Sequence, residues 1–230
     1  MKVIGLIGGM SWESSLEYYR IINEKTKELL GGFSSAKCLM YSVNFAEIEY
    51  LQHKNEWDEL HSIMADAATR LYKGGAEVIV LCTNTMHLSS MAINRAVPIP
   101  FIHIADATGE KIIEHKIKRV GLLGTKFTMT KDFYKNILQD RYEIETIIPD
   151  PHDQESVHHI IYNELVKGEI RDESRNIYID IIRRLQDRGA RGVILGCTEI
   201  PLLISSKDVD IPVFDTTRIH AEKAVEWAIS

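Results

Sequence analysis

The sequence has few cysteines, few prolines and no long hydrophobic run. Its three cysteines are an odd number, and no signal peptide precedes them, so we expect free thiols in a reducing cytoplasm. The N-terminal apolar run, MKVIGLIGGM, is far too short to span a membrane and is interrupted by glycines. It is typical of a first strand. With six prolines and 14 glycines, the chain also has no low-complexity linker.

Positive charge is in the minority. The 27 Lys and Arg residues are outnumbered by 33 Asp and Glu residues, which gives a formal net charge of −6. This balance argues against nucleic acid and anionic membranes as partners. The remaining composition, 45% hydrophobic and 26% charged, is that of an ordinary globular protein. Its 230 residues can bury a sizeable core in one domain or in two small ones.

Short apolar runs alternate with helical patterns along the chain. Ser11 can cap a first helix that ends at Gly31 and Gly32. Eight apolar runs are predicted strands: KVIGLIG, AKCLMYSV, EVIVLC, PFIHI, RVGLLG, EIETII, GVILG and IPVFD. Because these strands are apolar throughout and separated by helices, we predict an α/β fold with parallel sheets covered on both faces.

Three segments of the chain recur in the same order. GLIGG at 5–9 resembles GLLGT at 121–125, GGAEVIVLCTNT at 74–85 resembles RGARGVILGCTE at 188–199, and IPFIHI at 99–104 resembles IPVFDT at 211–216. The three offsets are 116, 114 and 112 residues. The repeat predicts two copies of one α/β unit, each Rossmann-like. We place the first unit at 1–98 plus 211–230 and the second at 99–210, with a ligand site in the cleft between them.

The repeat also aligns the two strand ends that carry polar residues. It places Cys82 on Gly196 and Thr83 on Cys197. Side chains alternate between the faces of a strand, so Cys82 and Thr83 cannot both face a ligand. Cys82 and the mid-strand Cys38 are therefore interpreted as small buried hydrophobes.

Cys197 has the pattern of a functional thiol. It follows an apolar strand and precedes the turn TEIP. Backbone amides at such a turn, together with a helix N-terminus, can stabilise a thiolate. We therefore expect Cys197 to be chemically active, and Thr83 to occupy the equivalent position in the first unit.

The segments IGLIGGMSWESS, CTNTMH and GCTEIPLL resemble the aspartate/glutamate racemase family, in particular its bacterial L-aspartate/glutamate-specific amino-acid racemase branch. The resemblance extends over essentially the whole chain. It implies two pseudo-symmetric α/β units, no cofactor and no metal, a homodimer, and one acid/base residue from each unit on opposite sides of the substrate Cα. The usual Cys-Asn-Thr motif reads Thr83-Asn84-Thr85 here, which is a departure at the catalytic position.

The expected chemistry is deprotonation and reprotonation at the Cα of an amino acid, by default aspartate or glutamate. Two groups must flank this carbon, and they exchange roles as base and acid with direction. Family geometry assigns Cys197 to the L face, whereas Thr83 can only be a poor base, so we expect an enzyme that works best from the L side. Donors that stabilise the carbanion are expected at the strand ends. The candidates from this chemistry are Ser11, Asn84, Thr85, Thr125 and Thr198, and the resemblance adds Met10, Gln52 and Glu199.

Other constellations are less convincing. GLIGGM lacks the G-x-G-x-x-G spacing of a dinucleotide site, and there is no P-loop. His152, His158 and His159 are interpreted as part of a polar surface segment. His87 and His103 lie near strand ends, where two roles are open to them: reaching the cleft, or a hydrogen-bonded role in the core or behind the site. Candidates for a distal substrate carboxylate are Gln52, Lys167 and Arg171.

Two alternative functions stay open at this point. A single active thiol also suits a decarboxylase or a cis–trans isomerase of the same superfamily, in which protonation is one-sided. The substitution at Thr83 also suits a binding protein that keeps the amino-acid site without turnover.

Overall fold

The computed structural model describes all 230 residues, which form two compact units. The first comprises Met1–Ile104 with His220–Ser230, and the second comprises Ala105–Ile219. None of the helices combines the length and the apolar character that crossing a membrane requires.

The first unit contains a four-stranded parallel sheet with the order β2-β1-β3-β4. Its strands are β1 Ile4–Gly8, β2 Cys38–Ser42, β3 Val78–Leu81 and β4 Phe101–Ile102. Its helices are α1 Trp12–Leu30, α2 Phe45–Lys54, α3 Trp57–Lys73 and α4 Ser90–Ala96, with a 3₁₀ helix at Thr85–Ser89. The central strands β1 and β3 are buried along their whole length, which explains their uniformly apolar sequences.

The second unit repeats this plan with the strand order β6-β5-β7-β8. Its strands are β5 Arg119–Gly124, β6 Glu145–Ile147, β7 Val193–Gly196 and β8 Val213–Asp215. The remaining helices are α5 Ile104–Glu114, α6 Lys126–Thr130, α7 Asp132–Tyr142, α8 Pro151–Asn163, α9 Asp172–Asp187 and α10 Thr216–Ile229, with 3₁₀ helices at Leu165–Lys167 and Ile200–Leu202. The predicted α/β class, the eight strands and the two repeated units are confirmed.

The unit boundaries differ from those placed on the sequence. The chain leaves the first unit after Ile104 rather than after residue 98, and it returns at His220 rather than at residue 211. The reason is strand pairing, because β4 pairs with β3 and β8 pairs with β7. Each of these strands therefore completes the sheet that precedes it, and the crossings fall in α5 and α10.

A glycine turn connects β1 to α1. Gly9 has φ +92, and a Cβ there would lie 2.2 Å from the Val43 carbonyl oxygen, so only glycine fits. The Gly9 amide donates to the Ser15 hydroxyl at 2.7 Å, and the Ser11 hydroxyl accepts from the Ser14 amide at 3.3 Å as the N-cap of α1. The turn after β1 is thus fixed by side chains of the helix that follows it.

Candidate active site

The registers of the two sheets give an independent alignment of the repeat. Leu81 lies beside Ile7 in the first sheet, and Leu195 lies beside Leu123 in the second. Ile7 and Leu123 match each other at the offset of the first repeated segment, 116 residues. The strand pairing therefore matches Leu81 with Leu195, which is the alignment that the sequence predicted.

Two residues beyond these leucines lie Thr83 and Cys197, at topologically equivalent positions. Between each leucine and these residues, Cys82 in the first unit corresponds to Gly196, the last residue of β7, in the second. A Cβ at Gly196 would lie 3.0 Å from the Leu123 carbonyl oxygen, a tighter contact than side chains normally make, which explains the glycine in the second unit. Both Thr83 and Cys197 are half-buried.

Each of these residues lies at the switch point of its own sheet. In sheets of the order 2-1-3-4, ligands bind beyond the carboxyl ends of the two central strands, where the winding direction reverses. Met10 and Ser11 follow β1, and Thr83, Asn84 and Thr85 follow β3. In the second unit, Thr125 follows β5, and Cys197, Thr198 and Glu199 follow β7. All predicted site residues except Gln52 thus come directly after a central strand.

Cys82 belongs to the core of the first unit. It has no exposed surface and packs among apolar side chains of β1, β3, α1 and α10. Its backbone carbonyl accepts a 2.7 Å hydrogen bond from the Ser14 hydroxyl, and burial raises the pKa of its thiol far above the ordinary value. Cys82 therefore behaves as a small hydrophobe that helps to fix the end of β3.

The other predicted residues of the first unit are well shielded from solvent. Met10, Ser11, Asn84 and Thr85 each expose less than a tenth of their surface. Gln52 lies on α2 and is also buried, and its amide donates to the Met86 thioether sulfur at 3.1 Å. Gln52 is thus tied to the 3₁₀ helix that contains Met86.

Cys197 and Glu199 form a direct pair in the second unit. The Cys197 thiol donates to a Glu199 carboxylate oxygen at 3.0 Å, and the Thr198 hydroxyl donates to the same oxygen at 2.7 Å. Burial raises the pKa of the Cys197 thiol well above its ordinary value, and the charge and hydrogen bond of Glu199 raise it further. The amides of Thr198 and Glu199 favour the thiolate as the sequence predicted, but their effect on this pKa is smaller.

The resting state of this site is therefore a thiol hydrogen-bonded to a carboxylate. For Cys197 to act as a base, its proton must first leave, and the Glu199 oxygen is the acceptor within reach. Neighbouring hydroxyls hold the surrounding backbone: the Thr216 hydroxyl donates to the Leu195 carbonyl at 2.8 Å, and Thr125 caps α6.

We expect Glu199→Gln to make Cys197 more acidic, because it removes the negative charge beside the thiol. Only the thiolate reacts with iodoacetamide, so alkylation of Cys197 in the wild type should increase as the pH rises above neutrality. In the variant, the alkylation curve should move to lower pH. The measurement is the alkylation rate of Cys197 against pH by mass spectrometry. A curve that is unchanged, or that moves to higher pH, would show that Glu199 does not hold the thiol protonated.

Lys167 and Arg171 lie on the surface of the second unit. Arg171 forms ion pairs with Glu169 and with Glu164, the latter at 3.7 Å. Its charge is therefore already compensated in this structure. His152, His158 and His159 lie on α8, where His152 and His159 are exposed.

Sequence reasoning did not identify two groups that hold the strand ends. Ser14 supports Cys82, and the His87 ring contacts the Thr83 carbonyl at 2.7 Å. Ser14 lies one turn into a helix that starts at the strand end, which is a usable signal. Of the two roles that the sequence leaves open for His87, its complete burial supports the hydrogen-bonded core role, whereas the sequence gives no sign of its partner, the Thr83 carbonyl.

The sequence model of the family described as Asp/Glu/hydantoin racemase matches residues 7–224 of the chain. The chain belongs to this racemase family. The family resemblance read from the motifs is thus confirmed, and so is the enzyme class, since amino-acid racemases are isomerases.

Three relatives illustrate how the family extends over the whole chain. A candidate Asp/Glu racemase from Yersinia pestis is 49% identical, with full coverage of both chains and a TM-score of 0.95. An aspartate racemase homologue from Pyrococcus horikoshii OT3 is 37% identical, again with full coverage of both chains and a TM-score of 0.89. The broad specificity amino-acid racemase RacX of Bacillus subtilis is 23% identical over 226 residues, which cover 97% of this chain and 96% of RacX.

Proposed function

We propose that this chain is a cofactor-independent amino-acid racemase, acting by default on aspartate or glutamate, with Cys197 and Thr83 serving opposite faces of the substrate Cα. The observation that carries the proposal is the sheet register, which matches Thr83 with Cys197 beyond equivalent central strands. Membership in a racemase family supports the reaction. The names of the relatives support amino acids as the substrate class.

The proposed reaction from the L side begins with loss of the thiol proton. Glu199 accepts this proton, and the Cys197 thiolate then takes the α-proton while the electron pair of the C–H bond stays on the carbon. The carbanion is stabilised by donors aimed at the substrate carboxylate, for which Ser11, Asn84, Thr85 and Thr198 are the candidates. A proton delivered from the Thr83 side completes inversion, and one returned by Cys197 restores the L form.

The two flanks of this site differ in acidity. A thiol normally ionises with a pKa near 8.5, whereas an aliphatic hydroxyl is far less acidic, so Thr83 can donate or relay a proton but is a weak base. Burial and Glu199 raise the pKa of Cys197, so at neutral pH the thiolate forms by transfer of its proton to Glu199 rather than by loss of the proton to solvent. Cytoplasmic location and a homodimer remain predictions from the sequence and the family.

The proposal is tested by incubating the protein with separate L- and D-amino acids in D₂O and following the α-proton by NMR. We expect exchange of an L-substrate, with aspartate and glutamate tested first, to be much faster than exchange of the D-enantiomer. The equilibrium mixture must still be racemic, so kcat/KM for net racemisation is equal in the two directions, and the difference appears in α-proton exchange that retains the configuration of the substrate. Equal initial rates would contradict the one-thiol site, and a lack of exchange with every amino acid would contradict the racemase proposal.

A further inference from the structure

Three histidines lie together in the first unit, and the proposed reaction uses none of them. The His87 ring lies 4.6 Å from that of His103 and 5.6 Å from that of His220, measured between ring centroids. His87 and His220 have no exposed surface, and His103 exposes 8%. Buried imidazoles need specific hydrogen-bond partners, and these partners show what the cluster holds in place.

The hydrogen bonds of His87 allow only one tautomer of its ring. The Ile104 backbone N–H donates to Nε2 at 3.1 Å, and an N–H can only donate, so Nε2 must be unprotonated. The ring proton therefore lies on Nδ1, which donates to the Thr83 carbonyl oxygen at 2.7 Å. The His87 ring thus connects residue 83, at the end of β3, to the first residue of α5.

His220 adopts the opposite tautomer. Its Nε2 lies 2.8 Å from the Ile102 carbonyl oxygen, which can only accept, so Nε2 carries the proton. Its Nδ1 then accepts from the Tyr18 hydroxyl at 2.8 Å. Burial lowers the pKa of His220 to about 3, and burial together with His103 and His220 lowers the pKa of His87 well below its ordinary value. Both rings are therefore neutral at physiological pH.

We propose that His87 is a positioning residue for Thr83, because its neutral ring holds the Thr83 carbonyl against the start of α5 and so fixes the direction of the Thr83 side chain. The Thr83 amide is held as well, since it donates to the Leu81 carbonyl at 2.9 Å. With both of its peptide groups bonded, residue 83 has little backbone freedom where the strand ends. This inference rests on the proposed function, since the direction of Thr83 matters only if Thr83 serves the second face of the substrate.

An L-substrate in D₂O gives a readout specific to the Thr83 side. Cys197 takes the α-proton and exchanges it with solvent deuterium. The carbanion then receives a deuteron either from the Cys197 side, which gives deuterated L-substrate, or from the Thr83 side, which gives D-product. A loss of stability or of Cys197 reactivity lowers both products together. A misdirected Thr83 lowers the ratio of D-product to deuterated L-substrate.

Two substitutions separate the two hydrogen bonds of His87. In His87→Gln the amide oxygen can replace Nε2 and accept from Ile104, but the donor to Thr83 is lost. In His87→Asn the amide nitrogen can replace Nδ1 and donate to Thr83, but the acceptor for Ile104 is lost. We expect His87→Gln to lower the product ratio on the order of 10-fold, since small misplacements of reacting groups are costly. His87→Asn should restore most of the ratio.

Tyr18→Phe is the matched control, because it removes a hydrogen bond from the same buried cluster without touching Thr83. It should leave the ratio unchanged even where it lowers the melting temperature. In a Thr83→Ala background, His87→Gln should not change the ratio further, since coupled residues are not additive. Equal ratios for His87→Gln and His87→Asn would overturn the positioning role. Absence of exchange in the wild type would instead overturn the proposed function, and the positioning role with it.

The tautomer itself can be tested in the wild type, without relying on any variant folding. The ¹⁵N shifts of the His87 ring should show a protonated Nδ1 and an unprotonated Nε2, and those of the His220 ring should show the reverse. Both sets of shifts should stay constant across the range in which histidines usually titrate, about pH 5 to 9. A His87 ring protonated at Nε2 would overturn the proposal.

Discussion

Cys197→Ser is expected to abolish α-proton exchange with every amino acid that the protein accepts. A serine hydroxyl in the same place is far less acidic than a thiol, so almost none of it is ionised at neutral pH. Loss of a positioned general base typically costs ~10²–10⁴-fold in rate. The measurement is exchange of an L-substrate in D₂O, followed by NMR, for the wild type and the variant at matched concentrations.

The two remaining cysteines are the controls for this experiment. Cys38 is half-buried on an edge strand, and Cys82 is enclosed by apolar side chains, so alanine suits Cys82 better than serine, whose hydroxyl would need a partner. Cys38→Ser and Cys82→Ala should retain most of the exchange. Substrate should also protect Cys197 from iodoacetamide. A folded Cys82→Ala protein that has lost exchange while Cys197→Ser retains it would contradict the assignment of the base.

Much of this architecture could be predicted because the central strands are buried on both faces. A strand such as Val193–Gly196 must be apolar throughout, and a helix must connect it to a parallel neighbour. The alternation of apolar runs with helical periodicity therefore predicts the order of the strands and helices. The repeat added what single patterns lack, since three segments in one order predict two sheets of the same topology. The registers of β3 and β7 agree with that alignment residue by residue.

The features that could not be predicted depend on contacts between segments far apart in sequence. The unit boundaries required knowing that β4 pairs with β3, and sequence patterns do not report pairing. The bond between His87 and Ile104 joins residues 17 positions apart, and it decides the tautomer of the ring. The direction of the pKa shift of the Cys197 thiol could not be predicted either. The turn that favours the thiolate is visible in the sequence TEIP, whereas the burial that raises the pKa is a property of the folded chain.

Thr83→Cys is expected to give the first unit the thiol that it lacks. The Cβ position is unchanged, so the new sulfur lies roughly where the Thr83 hydroxyl was, and a thiol with acidity near that of free cysteine is a competent base. Exchange of the D-substrate should therefore rise by ~10–10³-fold, the usual scale for a positioned general base. Loss of the methyl group at a half-buried position should cost on the order of 1 kcal/mol of folding stability.

The controls for Thr83→Cys separate the effect of the new thiol on the exchange rate from the effect of the lost methyl group. Thr83→Ser makes the same steric change but keeps a hydroxyl, so D-substrate exchange should stay near the wild-type rate. Thr83→Ala should preserve part of the L-substrate exchange, which depends on Cys197, while suppressing net racemisation. The assays need a reductant, because the new cysteine would follow Cys82 directly. If Thr83→Cys gains nothing with the D-enantiomer while Cys197 is essential, then Thr83 does not face the substrate Cα, and the matching positions in the two sheets do not serve the two opposite faces of the substrate.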